Sequence, residues 1–196
     1  MNLRILVALT LASLALPFES CNNRTVTRVN PNTQTDISGR WNDTDSKLVA
    51  EEMIKDVFKR PWRQDFIDAK GKKPTVIIGS IKNKTSEFIS AETFIKDLEK
   101  EFVNSGLVSV VQSGSERDEI REERNDQQTF ATEESRKKWG LEKGADFMMN
   151  GSINSITDQY KKEKAVFYKI NLELTNLETN EKVWIGDKEI KKLIKN

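Results

Sequence analysis

The chain has 196 residues, 32% of them charged and 36% hydrophobic, with 32 basic side chains against 31 acidic ones and a formal charge of +1. That near balance argues against a sequence-independent grip on nucleic acid, and the length suits one domain, or one domain with a tail. Because there is no histidine and only one cysteine, Ser-His-Asp and Cys-His catalysis, His-bearing zinc sites, intramolecular disulfides and Cys-rich metal centres are all excluded.

Near the N-terminus Arg4 supplies a short cationic start, and an apolar run follows from Ile5 to Pro17. About a dozen residues suffice for a secretory signal core and fall short of the roughly 20 that a helix needs to cross a bilayer. Phe18, Glu19 and Ser20 precede Cys21, placing a bulky apolar residue three positions upstream and a small one immediately upstream. This is the layout of a bacterial lipoprotein signal, with Glu19 standing where many such signals have a small residue. Residues 1–20 are therefore read as a lipoprotein signal peptide and Cys21 as the lipidation site. The other reading is a plain signal peptide with an incidental cysteine. Acyl chains on Cys21, at about 0.8 kcal/mol per buried CH2, would tether the protein to a membrane without spanning it.

Residues 21–38 are poor in large apolar side chains and rich in Asn, Thr, Arg and Gln, a composition that cannot bury enough surface to offset the entropy of ordering it. They are expected to form a flexible linker. From Cys21 to Gly39 it would reach about 65 Å fully extended, and roughly 25 Å as a coil.

Residues 39–196 have the texture of one α/β domain. Asp43, Thr44, Asp45 and Ser46 precede Val49, Met53 and Val57, with Leu48, Ile54 and Phe58 beside them, which predicts a capped helix ending near Pro61. Asp43 and Asp45 read as cap residues and as favourable charges at the helix's positive end, in preference to a metal-binding pair. Thr75 to Ile81, short and β-branched, predicts a buried central strand. Its continuation from Gly79 to Ser86 superficially resembles a phosphate-binding loop but lacks the second glycine. Ser90 caps a helix that carries Phe94, Leu98 and Phe102 and is closed at Gly106, before a short strand from Leu107 to Val111.

Ser115 to Gln128 has one large apolar residue, Ile120, among opposite charges at helical spacing. It is expected as a lightly docked helix, either a solvated face or a charged docking arm. Thr132 is expected to start a further helix that reaches Trp139 and ends at Gly140 or Gly144. Alternating apolar residues at Phe147, Met149, Gly151 and Ile153, then from Val166 to Leu174, predict half-buried strands. Val183, Trp184 and Ile185 follow the turn at residues 178–180, so the C-terminus should be an antiparallel hairpin or meander. Lys188, Lys191, Lys192 and Lys195 read as a solubilising edge. The expected fold class is α+β or α/β: a single mixed or antiparallel sheet flanked by helices.

Three segments resemble the LpoB family, lipoprotein activators of class A penicillin-binding proteins. These are Ser38-Gly39-Arg40-Trp41-Asn42-Asp43-Thr44-Asp45-Ser46, then Gly144-Ala145-Asp146-Phe147 running into Asn150-Gly151-Ser152-Ile153, and Leu172 to Thr179 followed by Lys182-Val183-Trp184. The likeness covers Ser38 to the C-terminus, and the two β segments also resemble the broader group of TolB N-terminal and CsgG-type domains. The resemblance implies a TolB N-terminal-like fold and an outer-membrane lipoprotein facing the periplasm. It also implies that the protein binds a bifunctional peptidoglycan synthase, a class A penicillin-binding protein, and favours its active state. No catalytic constellation emerges from the residues themselves, and a non-enzyme is expected, with no cofactor, metal, nucleic acid or small-molecule substrate.

Enterobacterial members carry a long linker where this chain has a short one. Arg40 and Trp41 are the candidate partner-binding residues, since an aromatic beside an arginine at a linker junction suits a binding hot spot. The alternative for Trp41 is packing against the first helix. Two other functions are weighed: a CsgG/TolB-like envelope assembly or secretion component, and a periplasmic hydrolase acting through carboxylates. The first needs long lipid-facing strands that the pattern does not show.

Overall fold

In a computed structural model, residues 25–31, 33–137 and 140–195 are described. The signal peptide, Cys21 and Trp139 lie outside them. The chain forms two units, Met1–Thr33 and Gln34–Asn196. In the first, the described residues are exposed and carry neither helix nor strand.

The larger unit starts with α1, Asp43–Phe58, whose N-cap is Asn42. Asn42 and Asp45 form a capping box: the Asn42 side chain accepts from the Asp45 backbone N–H, and the Asp45 carboxylate accepts from the Asn42 N–H. Val49, Ala50, Met53, Ile54 and Val57 form its buried stripe. Asp45 is thus a cap residue, and Asp43 a charge in the first turn of the helix. A second helix that the sequence reading missed, α2, Trp62–Lys70, follows at once from Pro61 and ends at Gly71 in the left-handed conformation. Trp62 Nε1 donates to the Val57 carbonyl at 2.8 Å, fastening the end of α1 to the start of α2.

Strand β1, Thr75–Asn83, leads into α3, Ala91–Ser105, which is capped by Ser90 and buries Phe94, Leu98 and Phe102. Then come β2, Ser109–Val111, and α4, Gly114–Phe130. Strands β3, Phe147–Tyr160, β4, Glu163–Asn176, and β5, Lys182–Lys195, complete a sheet of order β2-β1-β3-β4-β5. It is a single mixed sheet, as the fold-class expectation allowed: β1 runs parallel to β2 and β3, and β3-β4-β5 is an antiparallel meander. β1 is interior but flanks the central strand β3.

The expected helix from Thr132 is not formed. Residues 132–137 make one turn, in which the Ser135 and Arg136 amides donate to the Thr132 carbonyl. Residues 132–137 are all exposed, so none of these described residues supplies an apolar stripe to stabilise further turns. α4, in contrast, forms although it buries no residue.

The register between β1 and β3 shifts between Ile78 and Ile81, a bulge that explains Gly79. A Cβ there would lie 2.2 Å from Asn150 Oδ1. The glycine that suggested a phosphate loop instead sits at this irregularity, where it leaves room for the Asn150 side chain.

One face of the sheet is the core. Val76, Ile78, Phe147, Met149, Ile153, Tyr168, Ile170, Leu172 and Leu174 pack there with α1 and α3, and Trp62 and Phe66 of α2 meet Phe147 edge-on. On the opposite face, β3 to β5 are half-buried or exposed. No helix among the described residues is long and apolar enough to cross a membrane.

Candidate partner-binding site at the N-terminal junction

Residues 34–42 are held against β5 through Lys192. This lysine has only 10% of its side chain exposed, and it donates to Asp36 Oδ1 and Asp45 Oδ2, both at 2.6 Å, and to the Arg40 carbonyl at 3.0 Å. The inward phase of β5 explains its position: Trp184, Ile190, Lys192 and Ile194 share the core-facing register. Residues expected in the linker are thus pinned to the body through Asp36. Lys192, expected at a solvated edge, is instead the hub of this contact.

Burial pulls the Lys192 ammonium down, but hydrogen bonds to Asp36 and Asp45 outweigh that and leave its pKa above the ordinary lysine value. The same bond from Lys192 is the largest cause holding the Asp36 carboxyl below the ordinary range. Asp36 also accepts from Asn42 Nδ2 at 2.7 Å, so ion pair, helix cap and junction form one network. Gly39 completes the close fit. Its φ is +67°, and a Cβ would fall 2.4 Å from Ile194 Cγ1.

Trp41 and Arg40 have different environments. The Trp41 ring meets Phe94 and Tyr168 edge-on at centroid distances of 6.3 and 5.6 Å. These contacts come from α3 and β4, and the ring is partly buried against the core cluster to which α1 also contributes. The Trp41 N–H and the Tyr168 hydroxyl both donate to Glu87 Oε2, at 3.2 and 2.8 Å. Burial, reinforced by the Glu87 carboxylate, raises the Tyr168 hydroxyl far above its ordinary pKa and keeps it a donor. Asn83, at the end of β1, holds the Glu87 loop by donating to the Glu87 carbonyl at 2.8 Å. The Arg40 side chain is exposed, and among the described residues its guanidinium has no hydrogen-bond or ion-pair partner. The junction therefore fixes the backbone of Arg40 and presents its charge to solvent.

Beside it, α1 and β5 enclose a charged groove of about 390 Å³. Within it Trp184 Nε1 donates to Asp56 Oδ2 at 2.9 Å, Arg60 pairs with Asp56, and Lys188 with Glu52. The bond from Trp184 is the main cause lowering the Asp56 carboxyl. These charges neutralise one another, and no cluster of acidic, Cys or His side chains among the described residues could hold a metal.

Sequence reasoning missed Asp36, Glu87, Asp56 and Lys192 as junction and groove residues. Only Lys192 left a signal, being in phase with Trp184. Two motif residues are structural: Asp146 accepts from the Thr75 N–H at 2.8 Å and starts β1, and Asn150 fills the space above Gly79.

The profile of the family described as peptidoglycan-synthase activator LpoB matches residues 45–190. Among solved structures, the LpoB C-terminal domain from Escherichia coli is 14% identical over 78% of this chain and 99% of that one, with a TM-score of 0.40. The corresponding Salmonella enterica domain is 16% identical over 66% and 93%, at 0.36. Lipoprotein GNA1162 from Neisseria meningitidis is 8% identical over 60% and 82%, at 0.40. No curated protein matches the chain.

Proposed function

The chain belongs to the LpoB family of peptidoglycan-synthase activators, and from that premise we propose that it is an outer-membrane lipoprotein which binds and allosterically activates a class A penicillin-binding protein. The observation that carries the reading is the family match over residues 45–190, which takes in three of the four described helices, nearly all of α1 and most of the five-stranded sheet. In this reading Cys21 carries the acyl anchor and the folded body faces the periplasm. The body does no chemistry itself; it must bind the active form of the synthase more tightly than the inactive form, or it shifts nothing.

Arg40 is the partner contact and Trp41 its support. A guanidinium on a fixed backbone loses less freedom on binding than one on a loose chain, and the Lys192 network supplies that fixity. The CsgG/TolB-like assembly role is not favoured by the family match.

Affinity capture of the lipidated protein from its own envelope tests the reading. Recovery of a class A penicillin-binding protein is expected, and recovery of secretion machinery with no synthase would defeat it. Purified protein incubated alone with peptidoglycan should leave it intact; released fragments would reveal a hydrolase.

A further inference from the structure

We infer that the tip of the β3-β4 hairpin and the end of β5 form a contact for an anionic lipid surface, laying one end of the sheet's open face on the bilayer. The register sets Ile156 opposite Phe167 and Phe167 opposite Lys191, and Ala165 opposite Leu193. Strand side chains alternate between faces, so Ile156, Tyr160, Phe167 and Leu193 all lie on the face away from α1 and α3. Ile156 is 68% exposed, Tyr160 73% and Leu193 63%. Neighbouring apolar side chains this exposed mark an interaction surface.

The surrounding charge identifies the occupant. Lys161, Lys162 and Lys191 lie around the patch, against Asp158, which stands opposite Ala165 between Ile156 and Tyr160, while Lys195 and Glu163 are paired at 3.4 Å and offset each other. Lys161 also lies 5.1 Å from the centre of the Tyr160 ring. Lysine is depleted in protein–protein interfaces. Lysines around an aromatic and aliphatic cluster suit the boundary between headgroups and acyl chains, where their stems lie along apolar surface and their ammonium groups meet phosphate.

The path of the chain points the same way independently. Lys192 and Ile194, which flank Leu193 on β5, are the residues that hold Asp36 and Gly39. The compact unit begins at Gln34, so the chain enters the body at this end of the sheet. From an acylated Cys21 to Gln34 even a fully extended stretch spans only about 45 Å. This end is then the one held nearest the bilayer, and the β4-β5 turn near Asn180 points away from it. The inference rests on the acylation reading for this direction only; the patch itself is tested without an anchor.

The test uses the chain from residue 21 with Cys21→Ser, which contains the entire described core. It is co-sedimented with vesicles of phosphatidylglycerol and phosphatidylethanolamine, and with vesicles of phosphatidylcholine. Binding to the anionic vesicles is expected to fall at least about tenfold in an Ile156→Ser, Tyr160→Ser, Leu193→Ser variant. It should fall about fivefold for each lysine removed in Lys161→Gln, Lys162→Gln. Melting temperatures should match the parent's, since the altered side chains are exposed. Failure of the parent to bind anionic vesicles, or a triple variant that sediments like the parent, would overturn the inference. So would a triple variant that keeps vesicle binding and loses a purified synthase, which would make the patch a protein interface. Vesicle binding by the parent together with an unacylated Cys21 in the native protein would support the patch and defeat the anchor.

Discussion

Replacing Lys192 by methionine would leave Asp45, 8% exposed, and Asp36 without their shared cation. Removing one partner of a buried ion pair is far more damaging than its net contribution suggests, about 3 kcal/mol here, or roughly 10 °C in Tm. Asp36→Asn should cost less than about 1 kcal/mol, because Asp36 is 35% exposed in its side chain and screened by solvent. The pH dependence follows from the lowered carboxyl of Asp36. Its contribution is complete above the unfolded value near 4 and is lost as pH falls through the lower folded value. Thermal melts between pH 7 and pH 2 should therefore show a smaller acid loss in Asp36→Asn than in the parent, and equal losses would refute the network. At Arg40 and Trp41 the prediction splits. Arg40→Ala should keep the parent's Tm and weaken synthase capture about tenfold or more. Trp41→Ala removes a ring packed on Phe94 and Tyr168 and should lower stability by about 3 kcal/mol. If Trp41→Ala melts like the parent but loses capture, the tryptophan itself is the contact.

At the scale of elements, the junction depends on Gly39 as much as on charge. Gly39→Ala must adopt a positive φ and meet Ile194, and should cost about 1–2 kcal/mol. Hydrogen exchange at residues 34–42 should accelerate while β3 and β4 stay protected; uniform acceleration would mean that the junction and sheet open together. Most elements were legible in the sequence because several signals agreed. Ser90, the Phe94-Leu98-Phe102 stripe and Gly106 all mark α3, and strict alternation marks the meander. α2 was missed because nine residues with only Trp62 and Phe66 buried give a weak period, although Pro61 and Gly71 bracket it. The helix expected from Thr132 had a cap residue and charge, but its described residues 132–137 are all exposed. The junction was hidden for another reason. Lys192 pairs with residues more than a hundred positions away, and such a partner has no local trace. A lysine in phase with Trp184 was the one available sign, and composition outweighed it.

For the whole molecule, the described core is contained in one body. The role proposed for it is to present Arg40 and the adjoining surface to a synthase within reach of an anchor at Cys21. Mass spectrometry of the mature protein should find Cys21 at the N-terminus and acylated. A free thiol there, or cleavage beyond it, would remove the outer-membrane placement without touching the family assignment. Activation is a difference in affinity: a tenfold rise in synthase activity from a mostly inactive population needs about 1.4 kcal/mol tighter binding to the active form. The direct test is the rate of glycan polymerisation by a purified class A penicillin-binding protein, measured with increasing amounts of this protein. The rate is expected to climb to a plateau, which Arg40→Ala reaches only at higher concentrations. A rate that stays flat while binding is saturated would contradict it.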